Sequence, residues 1–207
     1  SLVYLQKKDA FYQNQSFWSE KPMIHLLPHW NHQEEEDQTV KVYAYTNCEA
    51  AELFLNGESL GKVDLKPVRH AEWDVIYQPG KLEAVGYRNG KIVARDIEET
   101  TKTPSRLVLR AENADDAGPN ELVILSCFVV DQDGKEVKNA EIEQISFYAE
   151  EGAIVVATGS DNTDHVPPNI TQRRMYGGRV SVLVRLSEQG NATVYATSFG
   201  LQGEAKF

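Results

Sequence analysis

The stretch Glu52-Leu53-Phe54-Leu55-Asn56-Gly57-Glu58-Ser59-Leu60-Gly61-Lys62-Val63 decides the fold. A short apolar run meets Asn56-Gly57, the strongest local hairpin signal, because the favoured two-residue turn needs positive φ at both central positions. Leu60 to Val63 is the returning strand. Working outward, the same period of two recurs on both sides. Val40, Val42 and Ala44 alternate with Lys41, Tyr43 and Tyr45. Ala71, Trp73, Val75 and Tyr77 share one face of a further strand, and Pro79-Gly80 turns it. Leu82, Ala84 and Gly86 alternate next, and Asn89-Gly90 makes a second hairpin into Lys91-Ile92-Val93-Ala94-Arg95. About six short strands in about 65 residues without a helix predict an all-β sandwich.

Glu98 to Pro104 is polar and lacks apolar periodicity, so it is expected to connect two domains. A second strand series follows. Arg106 to Arg110 opens it, and the apolar run Leu122 to Val130 suits a central strand buried on both faces. Asp131-Gln132-Asp133-Gly134 is its turn, and Ile145–Tyr148, Ile154–Ala157, Arg179–Val184 and Ala192–Ala196 continue the series. Gly159 to Gly178 is a long connection, of the kind that is functional or docked against a neighbour.

The first thirty residues differ. Tyr4, Leu5, Phe11, Tyr12, Gln15 and Trp18 recur at helical spacings. Asp9 suits a helix start, and Lys21-Pro22 should end the helix. The apolar run Met23 to Leu27 then stops at Pro28. A lone helix of this length is marginal in water, so its aromatic face belongs against the next domain or against one outside these residues.

The chain has 207 residues, enough for one large domain or two small ones and too few for a catalytic barrel with anything else. Its net charge is −10, which disfavours nucleic acid and anionic membrane as partners. No apolar run approaches the roughly 18–20 residues that span a bilayer, and Ser1-Leu2-Val3-Tyr4 does not read as a signal peptide. Cys48 and Cys127 fall in different predicted domains, and two separate half-buried thiols are expected.

Lys8 to Tyr12, Gln15-Ser16-Phe17-Trp18 and Lys21-Pro22-Met23-Ile24-His25-Leu26-Leu27-Pro28-His29-Trp30-Asn31 together resemble the exit from the catalytic barrel of glycoside hydrolase family 2, the β-galactosidase family. Val42 to Cys48, followed by Glu52 to Gly61, is similar to the immunoglobulin-like module after that barrel. Val129 to Gly134, Gly177-Gly178-Arg179 and Ala196-Thr197-Ser198-Phe199-Gly200-Leu201 resemble the terminal sandwich of the same enzymes. The likeness implies three pieces: a barrel-exit helix and linker over 1–35, and immunoglobulin-like sandwiches over 36–103 and 104–207. It implies a non-catalytic accessory role, the catalytic barrel of the parent chain as partner, and contacts between subunits. It also implies a periplasmic or secreted setting. The family's two catalytic glutamates, an acid/base and a nucleophile on barrel strands, lie upstream of the barrel exit, so these residues alone are expected to be inactive. Phe11, Tyr12, Trp18 and Trp30 are the expected packing residues at the seam with the barrel.

Other constellations carry less. Asn120-Glu121 superficially matches an acid/base pair, but it follows Gly118-Pro119 and precedes a sandwich strand. Glu34 to Asp37 reads as a solvated turn. His25, His29 and His32 have metal-like spacing, yet Pro28 breaks any helix that would align them. Asp161, Asn162 and Asp164 offer oxygens at loop spacing without the closing acid of a calcium loop, and Asp115-Asp116 reads as a polar turn. No metal or other cofactor is expected. Trp30, Trp73 and Tyr77 are the candidates for a sugar-stacking platform, the alternative reading as a carbohydrate-binding module, although a core tryptophan between two sheets is the commoner outcome. Three glycosylation sequons begin at Asn14, Asn169 and Asn191. There is no Gly-x-Ser-x-Gly elbow and no phosphate-cradling glycine loop.

Overall fold

The computed structural model describes residues 9–32, 37–65, 70–112, 118–150, 152–160, 165–188 and 192–207. Asp115-Asp116, Glu34 to Glu36, the run 161–164 and Asn191 lie outside these. The chain divides into two compact units, Lys7–Thr100 and Thr101–Phe207. Each is a β-sandwich with its own core, so the fold is all-β with tandem sandwiches, as the hairpin spacing predicts.

The first unit opens with helix α1, Asp9–Trp18. The apolar run after Pro22 is extended: strand β1, Ile24–Leu27, ends at a cis Leu27–Pro28 bond. It pairs with β2, Thr39–Thr46, which pairs with β5, His70–Ile76, in a three-stranded antiparallel sheet. The second sheet runs in the order β4, Glu58–Asp64; β3, Ala50–Leu55; β6, Lys81–Arg88; β7, Lys91–Glu99. Val42, Ala44, Ala71, Trp73 and Val75 of one sheet meet Ala51, Leu53, Leu82 and Ala84 of the other. At the quoted hairpin, Asn56 and Gly57 both take positive φ, 52° and 90°, the primed turn that matches strand twist. The Asn56 side chain does a second job. Its Nδ2 donates to Pro79 carbonyl at 3.1 Å and its Oδ1 accepts from Lys81 N at 2.9 Å. Gly80, at φ 139°, passes so close that a Cβ there would lie 1.8 Å from Asn56 Oδ1.

The expected polar connection is shorter than it reads. Glu98 and Glu99 belong to β7, with Glu98 buried, and Pro104 already starts β8, Pro104–Ala111. Polar residues here alternate along an edge strand, which composition alone cannot separate from a linker.

In the second unit β8 lies beside β9, Leu122–Asp131, followed by β13, Arg179–Leu186, and β11, Ala153–Gly159. The apolar run is thus an interior strand, with Val123, Leu125, Cys127 and Val129 facing the core. The opposing sheet has the order β12, Gln172–Met175; β10, Ile142–Ala149; β14, Thr193–Ser198; β15, Leu201–Lys206. Strand β12 falls inside the long connection, and it ties that segment to its own sandwich. Arg173, 3% exposed, faces inward. Its guanidinium donates to the carbonyls of Thr158, Val166 and Pro167 and to Thr158 Oγ1, at 2.7–3.0 Å. At the other end Asp131 accepts from the backbone amides of Lys102, Asp133 and Lys135 at 2.9 Å, closing the turn after β9. Burial would raise the Asp131 carboxyl, but these three amides hold it below the usual range.

Candidate functional site

The region with chemistry to explain is the lead-in, α1 and β1. The aromatics expected at the seam separate into distinct roles. Tyr12 lies stacked on His25 with ring centroids 3.7 Å apart. His25 Nε2 is 3.3 Å from Asp9 Oδ1, and its Nδ1 is 3.4 Å from Asp96 Oδ2. Burial works against charging this imidazole, yet the hydrogen bonds and charges of Asp9 and Asp96 outweigh it and raise its pKa to about 9. Asp96 is held below its usual range in turn, since His25 and the amides of Leu26 and Ile97 overcome its own desolvation. The result is a charged clasp that pins the start of α1 to β1 and β7.

Asn47 pins the other end. Its Oδ1 accepts from Met23 N at 2.9 Å, and its Nδ2 donates to the carbonyls of Ser19 and Lys21, both at 2.8 Å. Thr46 Oγ1 adds a 2.6 Å bond to Met23 carbonyl. Ser16 is the buried residue of α1, with its hydroxyl turned back to Gln13 carbonyl at 2.6 Å. The helix thus rests on Ser16, on its capping polar bonds and on the Tyr12 ring, while its C-terminal rings do not take part. Phe11 packs edge-on to Tyr12 and to Trp18, at 5.4 and 6.4 Å. Phe17 and Trp18 remain 64% exposed.

Trp30 is spent inside its own unit. It is fully enclosed, donates Nε1–H to Gln78 carbonyl at 3.0 Å, and lies 4.9 Å from the Tyr77 ring. Its carbonyl accepts from Thr100 Oγ1, which also contacts Tyr77 Oη at 3.1 Å. Trp73, 8% exposed, donates to Gly61 carbonyl at 3.2 Å. A stacking platform needs an open ring face, and Trp30, Trp73 and Tyr77 are all buried between the sheets. Phe17 is an exposed aromatic beside Trp18 that is not among the packing residues expected from sequence. Its adjacency to Trp18 beyond the last buried turn was the available signal.

The remaining constellations disperse. His29 and His32 stack on each other at 4.9 Å, while His25 faces its two carboxylates. Among the described residues no group of three His, Cys, Asp or Glu side chains could hold a metal ion. Asn120 sits in a turn at φ 65°, and Glu121 accepts from Gly118 N at 3.0 Å. Cys48 and Cys127 are free thiols in separate units, both buried rather than half-buried, and desolvation pushes Cys127 up to about 12. No helix among the described residues is long and apolar enough to cross a membrane.

Set beside known proteins, residues 107–205 match the family described as glycoside hydrolase family 2 C-terminal domain 5, and residues 37–94 match the domain of unknown function DUF4982. The chain belongs to the C-terminal region of glycoside hydrolase family 2. Beta-galactosidase BoGH2A of Bacteroides ovatus is 29% identical over 206 residues, covering 94% of this chain and 23% of that protein. Beta-glucuronidase of Formosa agariphila is 25% identical over 134 residues, 62% of this chain and 13% of that protein. The crystal structure of a beta-glycosidase from Bacteroides vulgatus matches with TM-score 0.89 and 33% identity, over 97% of this chain and 26% of the other. This family 2 chain therefore spans about a quarter or less of the relatives it resembles.

Proposed function

We propose that this chain is a non-catalytic accessory region of a larger family 2 β-glycosidase, and that α1 presents Phe17 and Trp18 to the catalytic barrel of the parent chain. One observation carries the reading. A helix clasped to its sandwich at both ends keeps two large aromatics 64% exposed at its C-terminal end. Adjacent exposed rings on a rigid helix are a docking surface rather than a core. The relatives bear both galactosidase and glucuronidase names, so the parent's substrate is set by residues outside this region.

Two measurements test this. The 207-residue chain is expected to leave aryl β-galactosides and β-glucuronides intact; hydrolysis above background would overturn the non-catalytic part. In the longer family 2 chain, Phe17→Ser with Trp18→Ser is expected to lower the melting temperature of the catalytic domain. An unchanged melting temperature would remove the docking role.

A further inference from the structure

The outer face of the β12-β10-β14-β15 sheet has a composition that the accessory reading does not use. Ile145, Phe147, Val194 and Ala196 point into the core. Their outward neighbours line up across the strands by register. Gln172 pairs with Ser146, Ser146 with Thr197, and Thr197 with Gln202, so one row of four uncharged hydrogen-bonding side chains crosses the whole sheet. In the next row Tyr148 pairs with Tyr195 and Tyr195 with Glu204. The two rings stack at 4.8 Å and 17°, Tyr195 Oη donates to Glu150 at 2.9 Å, and Tyr148 stays 51% exposed.

Two hollows follow these rows. One, of about 690 Å³, is lined by Gln144, Ser146, Thr197, Phe199 and Gln202. The other, of about 440 Å³, is lined by Arg106, Tyr148, Tyr195, Thr197, Gln202 and Glu204. Thr197 and Gln202 belong to both, so the hollows form one groove. Its wall is built by the close approach of β15 to β8: a Cβ at Gly203 would lie 2.3 Å from Leu107 carbonyl oxygen, which only glycine avoids.

The chemistry selects a class of ligand. A pyranose ring has an apolar C–H face that lies on an aromatic ring, and a rim of hydroxyls that both donate and accept. Amides and hydroxyls answer such a rim because they too donate and accept. Anions need clustered Lys and Arg; the four-residue row carries no charge, and the charged lining residues named, Arg106 and Glu204, are of opposite sign. We propose that this groove binds a neutral oligosaccharide. One sugar ring lies against Tyr148, and Gln144, Thr197 and Gln202 hydrogen-bond the hydroxyls of its neighbours.

The test uses the 207-residue chain, labelled with ¹⁵N and titrated with neutral β-linked gluco-, galacto- and xylo-oligosaccharides, with an oligouronate as the charged comparator. Saturable shifts are expected at amides of β10, β14 and β15, with tryptophan emission unchanged, because Trp18, Trp30 and Trp73 all lie in Lys7–Thr100. Tyr148→Ala should weaken binding about tenfold, the scale of one lost stacking contact. Thr197→Val with Gln202→Ala should weaken it comparably, and melting temperatures confirm that the variants fold. Absence of saturable binding by any neutral sugar, shifts centred elsewhere, preference for the oligouronate, or a Tyr148→Ala variant that binds like the parent would each overturn the proposal. The barrel-docking reading stands or falls separately, since it rests on Phe17 and Trp18.

Discussion

His25 is a half-buried imidazole that keeps its proton because two carboxylates flank it, with Asp9 on the helix and Asp96 on β7. Its pKa rises from 6.5 to about 9, so the folded state binds the proton more tightly than the unfolded state. The stabilisation is therefore complete below about pH 6.5, declines above it, and is lost as pH passes 9. The expected outcome is a melting temperature that falls from neutral pH to above pH 9, and a much flatter profile in His25→Gln. An identical slope in that variant would show that the clasp contributes nothing to it. The sequence suggested metal-like spacing for this histidine. One of its partners, Asp96, is 71 positions away and carries no local signal, and because β1 and β7 belong to different sheets only the packing of one sheet beside the other brings the two together.

At the element scale, β12 converts a long connection into part of the sandwich. The pattern Gln172-Arg173-Arg174-Met175 hides the strand, because an arginine occupies an inward position. Arg173 is tolerated there by donating to three carbonyls and one hydroxyl, which satisfies its charge within the unit. Arg173→Met removes those donors and takes the guanidinium away from the buried Thr158 carbonyl and hydroxyl. It should destabilise the second unit by more than about 2 kcal/mol, measured by urea denaturation followed by circular dichroism, with faster amide exchange at Thr158. A variant within experimental error of the parent would show that the segment does not depend on this side chain. By contrast, Asn56-Gly57 and Asn89-Gly90 are readable directly, since positive φ is a property of the residues themselves.

At the scale of the whole molecule, two cores are closed within two units, one centred on Leu53 and Tyr77 and the other on Leu125 and Val182. Leu53→Ala should cost about 2–5 kcal/mol in the first unit, detected through its tryptophans as a lower urea midpoint. An unshifted midpoint would mean that Leu53 is not in a closed core. The sequence by itself determined the all-β class, the hairpins and the central strand Leu122–Val130, because alternation and turn chemistry are local and survive without knowledge of neighbours, and its motifs carried the resemblance to the family. Tertiary structure decided the rest. It placed Trp30, Trp73 and Tyr77 inside, left Phe17 and Trp18 outside, and gave Met23–Leu27 a strand partner. It also aligned Gln172, Ser146, Thr197 and Gln202 across four strands. Burial and register depend on which strands lie opposite each other, and that is settled by packing between residues far apart in the chain.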